Sequence, residues 1–263
     1  MSHPASTVEP VAERLRRYYT RYYRDTLGLP GWAEHVVVRA LEESQEAAHL
    51  RRLEGLLGRS VAGLRVLNVG CGTGGFNVVA ARAGARTLGV DTDREAVAIT
   101  RLKLAGIAAE ACLAAAEALP FRSGAFDVVY CYSAIEHVVS VEDSIGEMTR
   151  VTRPGGTIYL HTPNAWSWYE GHYKLRWIPF LPRPLGALYL SLRGRPTAYL
   201  WTLRRLTRGR LRRALRRAGM TALRFHAGDA PRESVGPLWP LFRLYYGLLG
   251  VRPFIEITAE KPA

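Results

Sequence analysis

Apolar positions along the chain fall into two spacings, and the two alternate. Val66-Leu67-Asn68-Val69, Thr87-Leu88-Gly89-Val90, Phe126-Asp127-Val128-Val129-Tyr130-Cys131 and Thr157 to His161 are compact apolar runs of strand length. Arg94 to Leu104, between the second and third, has helical spacing. Strands separated by helices predict an α/β domain whose strands run mostly parallel in one sheet. Upstream, residues 8 to 27 and 33 to 57 predict two helices parted by Pro30-Gly31, an N-terminal cap. Downstream, Pro163 to about Pro196 is rich in proline and aromatics and reads as irregular. Thr207 is placed to cap a helix in which Leu211, Ala214, Leu215 and Ala218 recur at helical spacing, with Gly219 closing it. Two late strands, near Ala222 to His226 and Phe254 to Thr258, flank an apolar segment holding Trp239, Phe242, Tyr245 and Tyr246.

At 263 residues, 48% of them apolar, the chain supplies one α/β core with elaborations and not two equal domains. The cysteines Cys71, Cys112 and Cys131 lack CxxC spacing, so a disulfide framework or a zinc site is not expected. No apolar run is long enough to span a bilayer, and the first residues lack a signal-peptide core. A cytoplasmic protein is expected, with the inner face of the membrane as a peripheral alternative. The net charge of +13 is concentrated: between Asn164 and Ala218 stand thirteen Lys or Arg against Glu170 alone. Nine Trp, Tyr or Phe residues are interleaved with them, a mixture suited to an anionic membrane surface or a nucleic acid. A solvated basic face would look the same.

The chemistry starts at Gly70-Cys71-Gly72-Thr73-Gly74-Gly75, directly after the first apolar run. Closely spaced glycines leave room for a ligand against the backbone, and Asp91, ending the second run about 20 residues on, can accept hydrogen bonds from ribose hydroxyls. Gly70, Gly72 and Gly75 also satisfy dinucleotide spacing, which keeps an NAD-dependent oxidoreductase open. Further on come Ala116-Glu117-Ala118-Leu119-Pro120-Phe121, Ile135-Glu136-His137-Val138 just past the Phe126 strand, and Val151-Thr152-Arg153-Pro154-Gly155-Gly156.

With these elements in this order, residues 60 to 165 resemble the class I S-adenosylmethionine-dependent methyltransferases, in the group that includes the ubiquinone and menaquinone biosynthesis enzymes. The resemblance implies a Rossmann-like, doubly wound seven-stranded sheet, mostly parallel with an antiparallel last strand. On it sit a cap at residues 1 to 60 and lid insertions at about 163 to 206 and 227 to 252 of the domain spanning 61 to 263. It implies S-adenosyl-L-methionine as cofactor, held by Asn68, Gly70, Cys71, Gly72, Gly74, Asp91, Thr92, Ala116, Glu117 and Ser133. Two departures stand out: the family usually carries Asp or Glu at the place of Asn68 and often an acid at that of Ala115. An amide can brace the loop but cannot offset the ligand's ammonium charge.

His137 is the candidate catalytic base, since imidazole titrates near neutrality; it could equally stabilise the helix that follows. Glu136-His137 resembles the end of a Glu-x-x-Glu-His metal pattern in some relatives, but Ser133 stands at the first acid, so no metal site is expected. His161, Asn164 and His172, after the Thr157 strand, are the candidate acceptor contacts, with turn stabilisation as the other reading of Asn164. Tyr18, Tyr19, Tyr22 and Tyr23 could close over the cofactor from the cap. The expected activity is methyl transfer to a small, apolar or lipid-linked acceptor, at oxygen. A nucleic-acid methyltransferase using the basic segment is the alternative, although no Asn-Pro-Pro-Tyr or Pro-Cys signature supports it. A cofactor-binding protein without catalysis also remains open.

Overall fold

The four apolar runs become neighbouring parallel strands because each is long enough to cross a sheet and too apolar to face water on either side. A computed structural model of the protein describes residues 10–226, 239–250 and 252–263. The cap comprises α1 (Val11–Thr20), a π-helical turn (Arg21–Thr26), α2 (Trp32–Ala40) and α3 (Glu42–Leu57). Next come β1 (Arg65–Val69), α4 (Gly75–Arg82), β2 (Arg86–Asp91), α5 (Arg94–Lys103), β3 (Ala109–Leu113), β4 (Phe126–Tyr132), α6 (Val141–Val151) and β5 (Thr152–Pro163). The hairpin β6 (Tyr169–Glu170) and β7 (Leu175–Arg176) leads to α7 (Arg183–Leu192) and α8 (Ala198–Thr202). The chain closes with α9 (Arg208–Arg217), β8 (Thr221–His226), α10 (Trp239–Leu249) and β9 (Phe254–Glu260).

Seven strands form one sheet in the order β3-β2-β1-β4-β5-β9-β8. The links from β3 through β5 are parallel, and β9 runs antiparallel to both its neighbours. The order reverses between β1 and β2 on one side and β4 on the other, and at such a switch point the carboxyl ends of the strands open a crevice. On one face Leu67, Val129, Ile145, Met148, Ile158, Leu160, Leu211 and Leu215 pack β1, β4 and β5 against α6 and α9. On the other, Leu50, Leu53, Val66, Phe76, Val128 and Tyr130 pack α3 and α4 onto the sheet. Each such aliphatic side chain contributes about 1.5–3 kcal/mol relative to exposure, so the sheet is a stiff base for the loops at its edge.

The caps form as their sequences predict: Asp93 accepts from the N–H groups of Glu95 and Ala96, and Thr207 from that of Arg210. Two expectations need correction, and one strand has no counterpart among them. The second cap helix divides at Leu41, whose φ of −98° and ψ of 26° leave the helical region. The stretch after Pro163 is not irregular, since it holds β6, β7 and α7, with Pro184 in the first turn of α7 where its missing N–H costs nothing. Finally, β3 has no apolar run to announce it, being Ala-Glu-Ala-Cys-Leu at the sheet edge. Of the second lid insertion, residues 227–238 and 251 and the side chains of Trp239 and Phe242 lie outside the described residues. Among the described residues, no helix is long and apolar enough to cross a membrane.

Candidate active site

Where β1 ends, the chain must turn back into α4 without filling the switch point, and the turn does this with backbone alone. Gly70 and Cys71 donate to Val90 O at 2.8 and 2.9 Å, fixing the bend against β2. Gly70 has φ of +74°, and a Cβ there would lie 2.2 Å from that of Ala134. Gly74, with φ of +80°, faces Thr100, whose hydroxyl donates to Gly72 O at 2.8 Å. Side chains are therefore excluded by conformation and by contact.

Asp91 closes this floor. Its Oδ2 accepts from Gly72 N at 2.8 Å and its Oδ1 from Asp93 N at 2.9 Å, which leaves one acceptor direction on each oxygen for a sugar. Burial pushes its carboxyl up, while the donors Asp93 and Gly72 favour the charged form. The resulting crevice of about 600 Å³ is lined by the turn, by Asn68, Asp91, Thr92, Ala116, Glu117, Tyr130 and Ser133, and by the cap tyrosines 18, 19, 22 and 23. The cap is tied down through Tyr19, whose hydroxyl lies 2.7 Å from Thr73 Oγ1 and donates to Glu42 at 3.0 Å. Tyr18 donates to Asp93 at 3.1 Å, and Arg14 pairs with Glu95.

The floor fits a sulfonium nucleoside in three respects. Gly70, Gly72 and Gly75 put no side chain into the crevice they line, Asp91 retains free acceptor directions, and the Tyr130 hydroxyl is buried in the lining without a hydrogen-bond partner among the described residues. An orphaned buried hydroxyl is costly unless something completes it.

Across the crevice lie His137 and His172, their rings 5.1 Å apart. His137 Nε2 is 3.4 Å from the Tyr199 hydroxyl, itself 3.0 Å from that of Tyr22. Desolvation by the walls, aided by His172, pushes His137 down to about 3, which corrects the expectation that it titrates near neutrality: the imidazole is uncharged at physiological pH. His172 goes the other way: burial opposes its charge, but the bond to Glu170 at 2.8 Å and the carboxylate of Glu136 raise it. Glu136 is fully buried, with Oε2 accepting from Thr162 at 2.9 Å and Oε1 3.8 Å from His172 Nε2. The donor atoms of Glu136, His137 and His172 come within 4.8 Å of one another. Counting ligands from Ser133 overlooked His172, which reaches this cluster from the segment after β5.

Each predicted residue now has a place. Asn68 lines the crevice and its amide donates to Asn77 at 2.8 Å, so it braces the loop. Glu117 turns its carboxylate away to cap Val139 N and Ser140 N at 2.7 and 3.1 Å, leaving its backbone for the ligand. Ser133, at φ of +49°, sits at the rim 3.4 Å from His161. Two acceptor-contact expectations are corrected. His161 is absent from the crevice lining and is stacked between Tyr132 and Phe254, and burial drops it to about 4. Asn164 spends its amide on Arg252 O and Trp166 N, holding the turn. Sequence reading missed Arg39, Glu42, Glu46 and His49, which line the crevice from the cap; only their mutual spacing of three and four residues could have signalled them.

Comparison with known proteins agrees with this geometry. Residues 67–160 match the family model described as a methyltransferase domain. A ubiquinone biosynthesis O-methyltransferase from Rhizobium johnstonii is 33% identical over 129 residues, 46% of this chain and 52% of that protein. One of the same name from Ralstonia nicotianae is 39% identical over 105 residues, 39% of this chain and 44% of that protein. The chain thus spans about half the length of the curated relatives it matches. Among solved structures, an S-adenosylmethionine-dependent methyltransferase from Thermotoga maritima superposes with a TM-score of 0.56 at 17% identity, covering 96% of this chain and 100% of that one. A phosphoethanolamine N-methyltransferase from Haemonchus contortus gives 0.57 at 17%, covering 84% and 53%.

Proposed function

We propose, from the premise that residues 67–160 are a methyltransferase domain of the S-adenosylmethionine-dependent class, that this protein methylates a hydroxyl oxygen of an apolar, lipid-linked aromatic acceptor. The observation that carries this reading is His137, whose imidazole opens onto the same crevice as the glycine turn and Asp91. Bound S-adenosylmethionine supplies an electrophilic methyl group on a sulfonium. The chain's own residues supply alignment and removal of one proton. His137 takes the proton of the acceptor hydroxyl, with Tyr199 and Tyr22 orienting its ring. His172, held between Glu170 and Glu136, stands against His137 on the same side of the crevice. Gly70, Gly72 and Asp91 hold the nucleoside, and the tyrosines of the cap exclude water.

An acceptor with an apolar part is supported by the cavity of about 80 Å³ beside His172, whose apolar side is Trp177, Phe180, Leu181, Leu200, Leu203 and Leu206 and whose polar side includes Glu136, Asn164, Glu170 and Arg204. A surface contact with anionic membrane is supported by Leu185, Leu188 and Leu192 on α7 and Leu241, Leu244 and Leu248 on α10, every one of them more than half exposed. Both triplets have the spacing of a single helix face, and arginines 193, 205 and 208 lie at or near these helices. Incubation with labelled S-adenosylmethionine and a polyprenylated catechol tests the proposal. Label on the catechol oxygen is expected; transfer only to nitrogen, carbon or RNA would overturn it.

A further inference from the structure

The substitution at Asn68 poses a charge problem that the cap solves. S-adenosylmethionine ends in a zwitterion, an ammonium and a carboxylate on one carbon, and Asn68 brings no charge to it. Of the acids lining the crevice, Asp91 is directed to Gly72 and Asp93, Glu117 to the Val139 loop, and Glu42 to Lys103, Tyr19 and Thr73. Glu46 remains. It stands on α3 with its Cγ 3.0 Å from where a Cβ of Gly75 would lie, and His49 Nδ1 steadies its Oε2 at 3.0 Å. Its charge bears on Tyr130, the β4 partner of Asn68, whose hydroxyl is unpartnered. Arg39 is the one Lys or Arg among the described lining residues. Its guanidinium lies over Tyr19 at 5.2 Å and 3.7 Å from Glu46 Oε1, and it makes no hydrogen bond among the described residues.

A guanidinium and a carboxylate at that separation attract each other while sitting beyond hydrogen-bond distance, so Arg39 keeps its donors and Glu46 keeps Oε1, its Oε2 being shared with His49. We infer that Arg39 and Glu46 form a clamp for the amino-acid end of the cofactor, Arg39 taking its carboxylate and Glu46 its ammonium. The clamp moves to the cap the charge that the family places at the end of the first strand. It rests on the reading that the crevice holds S-adenosylmethionine, and two ligands separate failure of the clamp from failure of that reading.

Calorimetric titration of the full chain with S-adenosylhomocysteine reports nucleoside and amino-acid end together; 5′-methylthioadenosine keeps the nucleoside and thioether but lacks the amino-acid end. S-adenosylhomocysteine is expected to bind at least roughly 30-fold tighter. Glu46→Gln and Arg39→Gln should each weaken it about tenfold or more while leaving 5′-methylthioadenosine within about twofold, which also shows that the cap is intact. Asn68→Asp in the Glu46→Gln background should recover most of the loss, because Asn77 Nδ2 is buried without a partner and an amide flip turns it toward the introduced carboxylate. Equal losses for both ligands, or no loss for S-adenosylhomocysteine, would overturn the clamp. Failure of the unmodified chain to bind either ligand would overturn the parent reading instead.

Discussion

The two walls of the crevice are built on opposite principles. The sheet wall, from Gly70 to Asp91, is backbone: its shape follows from positive φ, from bonds between the turn and β2, and from the absence of Cβ atoms. The cap wall is side chain: Tyr19, Arg39, Glu42 and Glu46 reach down from helices α1 to α3, with Tyr19 and Glu42 tied to the turn at Thr73. Backbone walls fail abruptly when a single atom is added. Side-chain walls lose affinity in increments, because neighbouring groups share the work.

The largest effect expected lies where the walls meet the acceptor. His137→Ala should lower kcat by roughly 100-fold or more while S-adenosylhomocysteine affinity, measured by calorimetry, stays nearly constant. Unchanged kcat would remove His137 from the chemistry. Gly70→Ala attacks the sheet wall: with its new Cβ 2.2 Å from Ala134, cofactor affinity should fall by about two orders of magnitude. Tyr19→Phe attacks the cap wall by deleting one hydroxyl between Glu42 and Thr73, and at about 1 kcal/mol the affinity loss should stay under tenfold. If the two substitutions cost the same, the contrast between the walls is false.

A smaller effect is set by protons. His161 has its folded pKa depressed to about 4, below the 6.5 of the free side chain, so between those values the unfolded chain binds more protons and stability falls as pH falls. From pH 6.5 to 5 that amounts to about 1–2 kcal/mol, visible as a declining Tm. His172, raised by Glu170, has the opposite sign and loses its contribution as pH rises above the free value. His137, lowered to about 3, adds a slope of the same sign, so His161→Gln should reduce the acid slope by about half; an unchanged slope would assign it elsewhere.

The sheet wall was legible in the chain because its rules are local. Glycines after an apolar run, and an acid at the end of the next, leave few conformations, and Asp91 and the turn lie where that pattern puts them. β3 was hidden because an edge strand of small residues carries no apolar signature. The cap wall was hidden for a different reason. Arg39 and Glu46 read as ordinary helix-surface charges, and only the docking of α3 beside α4 and of α2 against α1 turns them inward. Asn164 looked like a ligand because turn chemistry and ligand chemistry use the same amide.

The central claim is that the side-chain-free turn and Asp91 hold the nucleoside, and calorimetry of the unmodified chain against Asp91→Asn with 5′-methylthioadenosine tests it most directly. The account predicts saturable one-to-one binding that weakens at least roughly tenfold in the variant. Equal affinity in the two proteins, or no heat in either, would contradict it.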